Sequence, residues 1–315
     1  MKIFRSLDNI VIEKPILTIG SFDGVHLGHK QVIDKLKQEA YRLGGQSTVL
    51  TFWPHPVAVL NPQQKLQLLS TLDEKIFLLE QTGIDNLILL PFSKEFSQIE
   101  YTDFVKLVLV EKLHISTLLL GYDNKMGRGG KGKFQEVEAL AQSCGFNILK
   151  MNAVSAGDEP ISSTKIRDLL LVGNVSEAAK LLGRQYSLAG KVVKGNRIGT
   201  KIGFPTANLL PDAYKFIPCN GVYAIWTQIA DNKHLGMLNI GVRPTLNSGK
   251  AEVSIEAHIF DFVGDLYGEN ITIQFIEKIR SERQFANLEA LSRQLQMDSR
   301  LIKSRFKSDT KKADE

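Results

Sequence analysis

The first half of the chain alternates short apolar runs with longer segments of helical period. The apolar runs fit β-strands and cover residues 16–19, 48–52, 87–90, 117–120 and 147–151. Between them, apolar residues recur every three or four positions, most clearly over residues 29–43, where the pattern ends at Gly44 and Gly45. Strands that alternate with helices in this way predict an α/β fold with a parallel sheet and crossover helices.

Beyond residue 184 the pattern changes to period two. Apolar and polar positions alternate over residues 186–193, 222–229, 235–240, 252–260 and 271–279, with turn residues between these segments. This spacing is typical of an antiparallel barrel or sandwich, and Leu288, Leu291 and Leu295 predict a final helix packed on it. We therefore predict a first domain in residues 1–184, a second in residues 185–305 and a flexible tail in residues 306–315.

The composition agrees with two folded domains and localises much of the charge to the tail. The 315 residues are 43% hydrophobic and 23% charged, which is enough apolar material for two cores. Residues 300–315 hold six cations and three anions, so they contribute much of the formal net charge of +5. The charge therefore does not indicate a basic face on a folded domain, and we expect no nucleic-acid partner.

The sequence shows no pattern of a membrane span, a signal peptide or a cysteine metal site. No apolar run approaches the roughly 20 residues of a membrane span, and the N-terminal residues do not form a signal-peptide pattern. Cys144 and Cys219 lie far apart and lack the spacing of a metal site. We expect a cytoplasmic protein with no membrane partner and with reduced cysteines.

Glycines and histidines cluster where the first predicted strand meets the first long helix, in Gly20-Ser-Phe-Asp-Gly-Val-His-Leu-Gly-His29. Ligands bind at this position in parallel sheets, because the helix N-terminus offers unpaired amides to an anion and glycines let the backbone approach it. His26 and His29 are placed to donate hydrogen bonds to a triphosphate. A glycine-rich loop alone is equally typical of an ordinary strand-to-helix turn, so the nucleotide hypothesis depends on the two histidines.

Three further polar segments follow predicted strands and should lie on the same rim of the sheet. They are Thr51-Phe-Trp-Pro-His-Pro56, Gly121-Tyr-Asp123 and Ile161-Ser-Ser-Thr-Lys-Ile-Arg167. Capping of the helix that begins there is enough to explain the hydroxyls of residues 162–164. Arg167, one turn into that helix, is instead suited to bind a phosphate through two parallel hydrogen bonds.

A second glycine-rich and cationic loop, Lys194-Gly-Asn-Arg-Ile-Gly-Thr-Lys-Ile-Gly-Phe-Pro-Thr-Ala-Asn208, follows the first strand of the second domain. Its composition suits a lid over a nucleotide. Thr206 and Asn208 share a face of an extended segment, and their neutral oxygens suit Mg²⁺, although the pair is also typical of a turn. Alternation along residues 252–260 places Glu256 on the polar face, where pattern alone indicates a solvated carboxylate.

These segments resemble one known family. Residues 22–29, 54–56 and 162–167 are similar to the adenylyltransferase module of bacterial bifunctional riboflavin kinase and FMN adenylyltransferase, also called FAD synthetase. Residues 203–209, 221–223, 239–245, 256 and 265–268 are similar to its riboflavin kinase module. The resemblance implies a Rossmann-like nucleotidyltransferase domain followed by a small antiparallel β-barrel with a C-terminal helix. It also implies ATP-dependent phosphorylation of riboflavin to FMN and adenylylation of FMN to FAD.

The resemblance also implies roles for individual residues. Glu256 would be the base of the kinase step, His26 and His29 the catalytic residues of adenylyl transfer, and Thr206 and Asn208 the ligands of Mg²⁺. Nucleotide binding is implied for Gly20, Phe22, Asp23, Gly24, Gly28, His55, Asp123, Ser163, Thr164 and Arg167 in the first domain, and for Gly195, Lys201, Gly203, Thr206 and Asn208 in the second. Flavin binding is implied for Arg243, Arg280 and Phe285. The implied substrates are riboflavin, FMN and ATP, and the oligomeric state stays open.

Two alternatives stay open at this point. Asn124 and Met126 occupy positions where the family usually has aromatic residues, which motivates a riboflavin kinase with a degenerate or regulatory first domain. A His-x-Gly-His loop on a nucleotide-binding sheet also occurs in tRNA synthetases, and a nucleic-acid-binding protein would show steeply salt-dependent RNA binding. The lack of a basic folded face argues against this second alternative.

Overall fold

The chain divides into two compact units, residues 1–163 and 164–315. The computed structural model describes residues 1–63, 66–121, 126–152, 155–156, 159–195, 198–230, 232–244 and 251–306. None of the helices in these ranges combines the length and apolar character that crossing a membrane requires.

The first unit is built on a six-stranded parallel sheet. Its strands are β1 (Lys2–Phe4), β2 (Pro15–Ile19), β3 (Gln46–Trp53), β4 (Asn86–Pro91), β5 (Thr117–Gly121) and β6 (Asn147–Met151), and a separate hairpin joins β7 (Ser155–Ala156) to β8 (Glu159–Pro160). Its helices are α1 (Leu27–Leu43), α2 (Pro56–Leu60), α3 (Leu72–Glu80), α4 (Tyr101–Asp103) continued by the π-helix Phe104–Lys112, and α5 (Phe134–Cys144), with 3₁₀ turns at Phe96–Gln98 and Arg128–Gly130. The sequence pattern predicts five of the six sheet strands. It does not predict β1, because three residues are too few to show a period.

The strand order β1-β4-β3-β2-β5-β6 reverses direction at β2. From β2 the chain moves outward through β3 and β4, and it then returns to place β5 on the other side of β2. In sheets of this kind a ligand crevice opens outside the carboxyl ends of the two strands at the reversal. The loop of residues 20–29 follows β2 directly, so it begins at this crevice.

Alternate residues of the strands pack into two apolar layers, because successive side chains of a strand point to opposite faces. In β2, whose residues are all buried, Ile16 joins the layer that holds Ile33 and Leu36 of α1. Leu17 joins the layer that holds Leu109 of the π-helix. Burial on both faces is typical of a parallel strand, and it fixes the point at which β2 delivers the following loop.

The second unit is a closed antiparallel barrel of six strands. They are β9 (Ser187–Val193), β10 (Ala207–Pro211), β11 (Gly221–Ile229), β12 (Asn232–Pro244), β13 (Ala251–Ile259) and β14 (Asn270–Arg280), in the order β10-β13-β12-β11-β14-β9. The helices in this part of the chain are α6 (Ser163–Leu171), α7 (Val175–Leu182), α8 (Ile198–Lys201) and α9 (Leu288–Phe306). Pairing of β10 with both β9 and β13 closes the barrel, which decides between the barrel and the sandwich of the sequence prediction.

Helix α9 packs on the barrel, as its leucine spacing predicts. Ile302 is fully buried in an apolar cluster with Trp226 of β11 and Met237 of β12, and Leu295 packs against the same cluster. The contact fixes the C-terminal helix beside the strands that carry the predicted flavin site.

The position of the domain boundary stays a prediction. The compact units meet between Ser163 and Thr164, whereas the change of sequence pattern lies after residue 184. Helix α7 contacts β14, and a Cβ added at Gly173 would come 3.0 Å from the Cys219 sulfur. The two helices between these positions therefore pack with the barrel.

Candidate active sites

The loop after β2 has an unusual backbone conformation. Phe22, Gly24 and Val25 have φ angles of 48°, 80° and 38°, and a positive φ is costly for a β-branched residue such as valine. Ser70 Oγ accepts the N–H of Gly24 at 3.0 Å, so a contact from another segment supports the conformation. Strained backbone that is supported in this way is concentrated at functional sites.

Asp23 anchors the loop to the segment before α3. Its buried carboxylate accepts hydrogen bonds from the N–H groups of Leu69 at 3.1 Å and Ser70 at 3.2 Å. Its carbonyl accepts a hydrogen bond from Ser163 Oγ at 2.9 Å. Asp23 and Ser163, which the resemblance assigns to nucleotide binding, therefore hold the loop in place. Their direct contact with nucleotide stays a prediction.

The two histidines meet at the start of α1. His26 caps the helix, and its Nδ1 accepts the His29 N–H at 3.3 Å. The two rings stack with their centroids 3.6 Å apart and their planes at 18°. A Cβ at Gly28 would lie 3.0 Å from His26 Nδ1, so a larger residue would crowd this ring. Gly20 has a similar role beside Phe22, because its Cβ would come 3.0 Å from that ring.

Burial keeps His29 neutral. Burial is the largest cause that holds the pKa of His29 well below its usual value, and the positive charges of His26 and Lys75 also lower this pKa. His29 Nδ1 is buried and has no hydrogen-bond partner among the described residues. At neutral pH the ring is therefore an uncharged imidazole, which can donate one hydrogen bond to an incoming ligand.

The other predicted residues of the first site have different placements. His55 caps α2, where its Nδ1 accepts the Val57 N–H at 3.2 Å, so this ring has a local structural role. Thr164 and Arg167 lie in the first turns of α6, beyond the boundary of the first unit, and their binding of phosphate stays a prediction. Asp123 lies outside the described residues, as does Asn124.

An apolar cavity of about 430 Å³, which the sequence did not predict, lies at the carboxyl end of the sheet. The walls include the phenylalanine rings of residues 52, 92, 96 and 104, and the first three form a mutually packed group with centroids 5.5–5.7 Å apart. Met126 also lines it and is 8% exposed. The cavity thus keeps an aromatic wall despite the methionine. Its residues come from four separate segments, so no local sequence signal identifies it.

In the barrel, strand pairing brings the predicted kinase residues together. Asn208 of β10 lies opposite Glu256 of β13, and Glu256 lies opposite Asn239 of β12. Thr206 Oγ1 donates a hydrogen bond to Glu256 Oε2 at 3.3 Å. Thr206, Asn208 and Glu256 therefore form one cluster, although fifty residues separate the first from the last.

Two cavities meet at this cluster. One has a volume of about 450 Å³ and is lined by Lys194, Gly195 and Asn208, among others. The other has a volume of about 300 Å³ and is lined by Glu256 together with the apolar side chains of residues 237, 238, 291 and 295. Thr206 lines both cavities. A phosphate donor in the first cavity and an alcohol in the second would therefore meet at Thr206 and Glu256.

Two of the predicted flavin-binding residues lie at the smaller cavity. The Arg280 Nη2 and Nε atoms are each 2.9 Å from Asp298 Oδ2, and Gln294 Nε2 donates to the other carboxylate oxygen at 2.6 Å. The Arg280 guanidinium is 5.7 Å from the centre of the Phe285 ring. Both residues line the cavity. Arg243 lies in β12 opposite Glu252, and its side chain is outside the description.

The segment between β9 and β10 folds back on itself. Lys201 ends α8, and Gly203, with φ of 81°, forms the turn that follows. Phe204 N–H donates to the Gly199 carbonyl at 2.8 Å. His258 Nδ1 donates to the Pro205 carbonyl at 2.7 Å and so joins the end of this segment to β13.

The oxygen atoms at the shared wall fit Mg²⁺. The Thr206 hydroxyl and the Asn208 amide oxygen are hard ligands of the kind that magnesium prefers. The described residues contain no group of three or more His, Cys, Asp or Glu that could hold a metal. A magnesium ion here would therefore take most of its ligands from water and phosphate, which is its usual behaviour.

Comparisons with known proteins agree for both units. The FAD synthetase family matches residues 9–165, and the riboflavin kinase family matches residues 182–306. A bifunctional riboflavin kinase/FMN adenylyltransferase of Buchnera aphidicola is 34% identical over 97% of this chain and 99% of its own. Another from Listeria monocytogenes is 36% identical over 92% of each chain. A crystal structure of a macrolide-efflux protein from Streptococcus pneumoniae has a TM-score of 0.86 and 28% identity, covering 96% of this chain and 98% of that one.

The matched regions coincide with the two sites. The FAD synthetase match contains the strained loop and its histidines, and the riboflavin kinase match contains the barrel with Thr206, Asn208 and Glu256. The chain therefore belongs to the family of bifunctional riboflavin kinase/FMN adenylyltransferases, ATP-dependent enzymes that combine an FAD synthetase domain with a riboflavin kinase domain.

Proposed function

We propose that the barrel phosphorylates riboflavin at the wall between its two cavities. ATP lies in the larger cavity with its phosphates near Asn208, and riboflavin lies in the smaller one beside Phe285. The observation that carries this assignment is that Thr206 lines both cavities and donates a hydrogen bond to Glu256.

Glu256 is the general base of this step. Its carboxylate takes the proton of the ribityl 5′-hydroxyl while that oxygen forms a bond to the γ-phosphorus of ATP. The bond from the γ-phosphorus to the β,γ-bridging oxygen breaks, so ADP leaves with the electron pair and FMN is formed. Thr206 and Asn208 would hold Mg²⁺, which would neutralise phosphate charge there. Catalysis depends mainly on the relative positions of the two substrates.

The first domain transfers the AMP group of ATP to FMN. An FMN phosphate oxygen forms a bond to the α-phosphorus, the bond to the α,β-bridging oxygen breaks, and pyrophosphate leaves. His26 and His29 donate hydrogen bonds to the phosphate charge that develops in this step. The cavity walled by phenylalanines suits the flat isoalloxazine ring of FMN, because aromatic rings stack favourably.

A chromatographic assay of flavin products tests both halves. Purified full-length protein with riboflavin, ATP and Mg²⁺ should give FMN and then FAD, and with FMN as the only flavin it should give FAD. Removal of Mg²⁺ with a chelator should stop both steps. FMN that accumulates without FAD under excess ATP would instead identify a riboflavin kinase with an inactive first domain. The oligomeric state and the expected cytoplasmic location stay predictions.

A further inference from the structure

Lys75 is a buried cation that the proposed mechanism does not use. It lies in the first turn of α3, whose N-terminus is fixed by reciprocal hydrogen bonds between Thr71 and Glu74. The residue is 1% exposed, and its ammonium group finds no hydrogen-bond partner in the described part of the chain. A buried charge without a partner is costly, and titratable groups held in this way are concentrated at functional sites.

The groups around Lys75 belong to strand β3 and to residues 20–29, which we call the nucleotide loop. Its ammonium lies 5.7 Å from the centre of the Trp53 ring at the end of β3. It interacts electrostatically with Asp23, and its charge contributes to the lowered pKa of His29. The Asp23 carboxylate, however, accepts hydrogen bonds from the backbone of Leu69 and Ser70. Within the described part of the chain the Lys75 ammonium therefore lacks a hydrogen-bond partner.

An anion at the loop would provide that partner. His26 and His29 offer hydrogen-bond donors there, and the backbone at the start of α1 has the positive end of the helix dipole. Lysine is suited to phosphate, because its ammonium is a compact charge with three donors. The N-terminus of α1 and the Lys75 ammonium therefore both favour an anion at the loop that follows β2.

We propose that Lys75 binds a phosphate oxygen of the nucleotide at the loop of residues 20–29 and neutralises charge on the departing pyrophosphate. This inference rests on the proposed adenylyl transfer of the first domain. When the bond to the α,β-bridging oxygen breaks, the electron pair moves onto pyrophosphate, and a fixed buried cation stabilises that charge better than solvent does.

The titration of Lys75 supplies an independent signature. Burial lowers the pKa of Lys75 to about 8, and the negative charge of Asp23 opposes this change. Its charge also acts on His29 of α1, while Trp53 presents an uncharged ring. Binding of a phosphate anion to the wild type should therefore weaken as pH rises through about 8. Arginine does not lose its proton in this range, so Lys75→Arg should bind with a weaker pH dependence.

Calorimetric titration of the full chain with inorganic pyrophosphate tests the contact directly. Lys75→Met keeps the length of the side chain and removes the charge, and it should weaken pyrophosphate binding about 10- to 100-fold. Lys75→Arg should retain binding within about tenfold. The barrel is the same in all variants, so a difference between them reports the first domain. Wild-type affinity in Lys75→Met, or the same pH dependence in Lys75→Arg and wild type, would overturn the proposal.

A stability measurement separates this role from a structural one. If Lys75 serves a ligand, Lys75→Met should have an unchanged or higher thermal unfolding temperature, because it removes an unpaired buried charge. A lower unfolding temperature with unchanged pyrophosphate affinity would identify Lys75 as a structural counterion of Asp23 and refute the proposal. Lys106→Met, at an exposed lysine of the π-helix, is the matched control and should change neither quantity.

Flavin assays distinguish failure of this inference from failure of the proposed function. If wild type forms no FAD from FMN, the proposed function of the first domain fails, and the pyrophosphate titration still decides whether Lys75 binds an anion. If wild type forms FAD and Lys75→Met does so with the same kcat/KM for ATP, the proposal for Lys75 alone fails. FMN formation from riboflavin should be unchanged in every Lys75 variant.

Discussion

In the first domain, the groups around the nucleotide loop are buried and held by backbone hydrogen bonds, whereas in the barrel the reacting side chains lie at the wall between two cavities. Asp23 accepts two backbone N–H groups, and His29 is kept neutral by burial. Glu256 of β13 instead accepts a hydrogen bond from the hydroxyl of Thr206, which directly precedes the paired strand β10.

The difference corresponds to the two reactions. Adenylyl transfer to FMN starts from a phosphate that is already an anion, so the first site needs donors for developing charge and no strong base. Phosphorylation of riboflavin starts from an alcohol, whose proton must be removed as the new bond forms, so the second site places a carboxylate beside it. In the proposed mechanism, ATP is therefore bound by a preorganised polar loop in one domain and beside a general base in the other.

The largest expected effect separates the two reactions by removing the base. Glu256→Gln preserves the shape of the side chain and removes its capacity to accept the hydroxyl proton. FMN formation from riboflavin should fall about 10²- to 10⁴-fold, while FAD formation from FMN should be unchanged. Initial rates with each flavin supplied separately measure both. Glu289→Gln, at an exposed position of α9 that pairs with Arg293, is the control. An unchanged kinase rate in Glu256→Gln would show that Glu256 is not the base.

The complementary change is expected in the first domain. His29→Ala removes a neutral donor from the loop, and FAD formation from FMN should fall about 10²- to 10³-fold because one hydrogen bond to developing charge is lost. The kinase rate of the same preparation is an internal control and should not change. Equal loss of both activities would indicate a folding defect or a shared site, and it would contradict the separation of the two mechanisms.

The elements that carry these sites were predicted to different extents from sequence. The apolar run of β2 and the glycines after it predicted the strand and the loop that follows it, because both signals are local. Alternation correctly placed Glu256 on the polar face of its strand. The pattern could not show that this face forms a cavity wall, because the wall exists only after β10 closes the barrel. The five residues of β10 show no clear alternation, and the loop predicted over residues 194–208 includes only the first two of them.

Lys75 and the phenylalanine-walled cavity show the limit more clearly. A lysine in the first turn of a helix is usually solvated, and only the packing of α3 under the loop and against Trp53 buries it. The cavity takes its rings from segments that are adjacent only in the folded sheet. The replacement at Met126 appeared to remove an aromatic contact, yet the remaining rings form the wall from positions that the motif does not include.

A smaller effect tests how the barrel orders its flavin cavity. Asp298 is 3% exposed and holds Arg280, so Asp298→Asn should leave that cation poorly compensated and lower the unfolding free energy by about 2–4 kcal/mol. The KM for riboflavin should rise more than kcat falls, because Arg280 and Phe285 line the cavity and do not take part in proton transfer. Urea denaturation and kinase kinetics measure the two effects.

The exposed ion pair between Arg305 and Glu277 is the matched control for this change, because it also joins α9 to β14. Glu277→Gln should cost less than about 1 kcal/mol, since both partners are well solvated. Similar losses in the two variants would mean that burial of Asp298 does not strengthen its interaction with Arg280.

The smallest effect compares a partly buried histidine of each domain through the pH dependence of stability. The pKa of His29 is held well below its unfolded value of about 6.5, so the unfolded chain takes up a proton below this pH that the native protein does not. Stability from His29 should therefore be present above about pH 6.5 and be lost on acidification, by about 1 kcal/mol between pH 7.5 and 5.5.

Burial also lowers the pKa of His258 in the barrel, but its hydrogen bond to the Pro205 carbonyl opposes the change. Between pH 7.5 and 5.5 the unfolding free energy of wild type should therefore fall relative to that of His29→Gln. It should fall by less relative to that of His258→Gln. Parallel curves for wild type and His29→Gln would show that His29 is as readily protonated in the native protein as in the unfolded chain, and the neutral-donor role assigned to it would then be wrong.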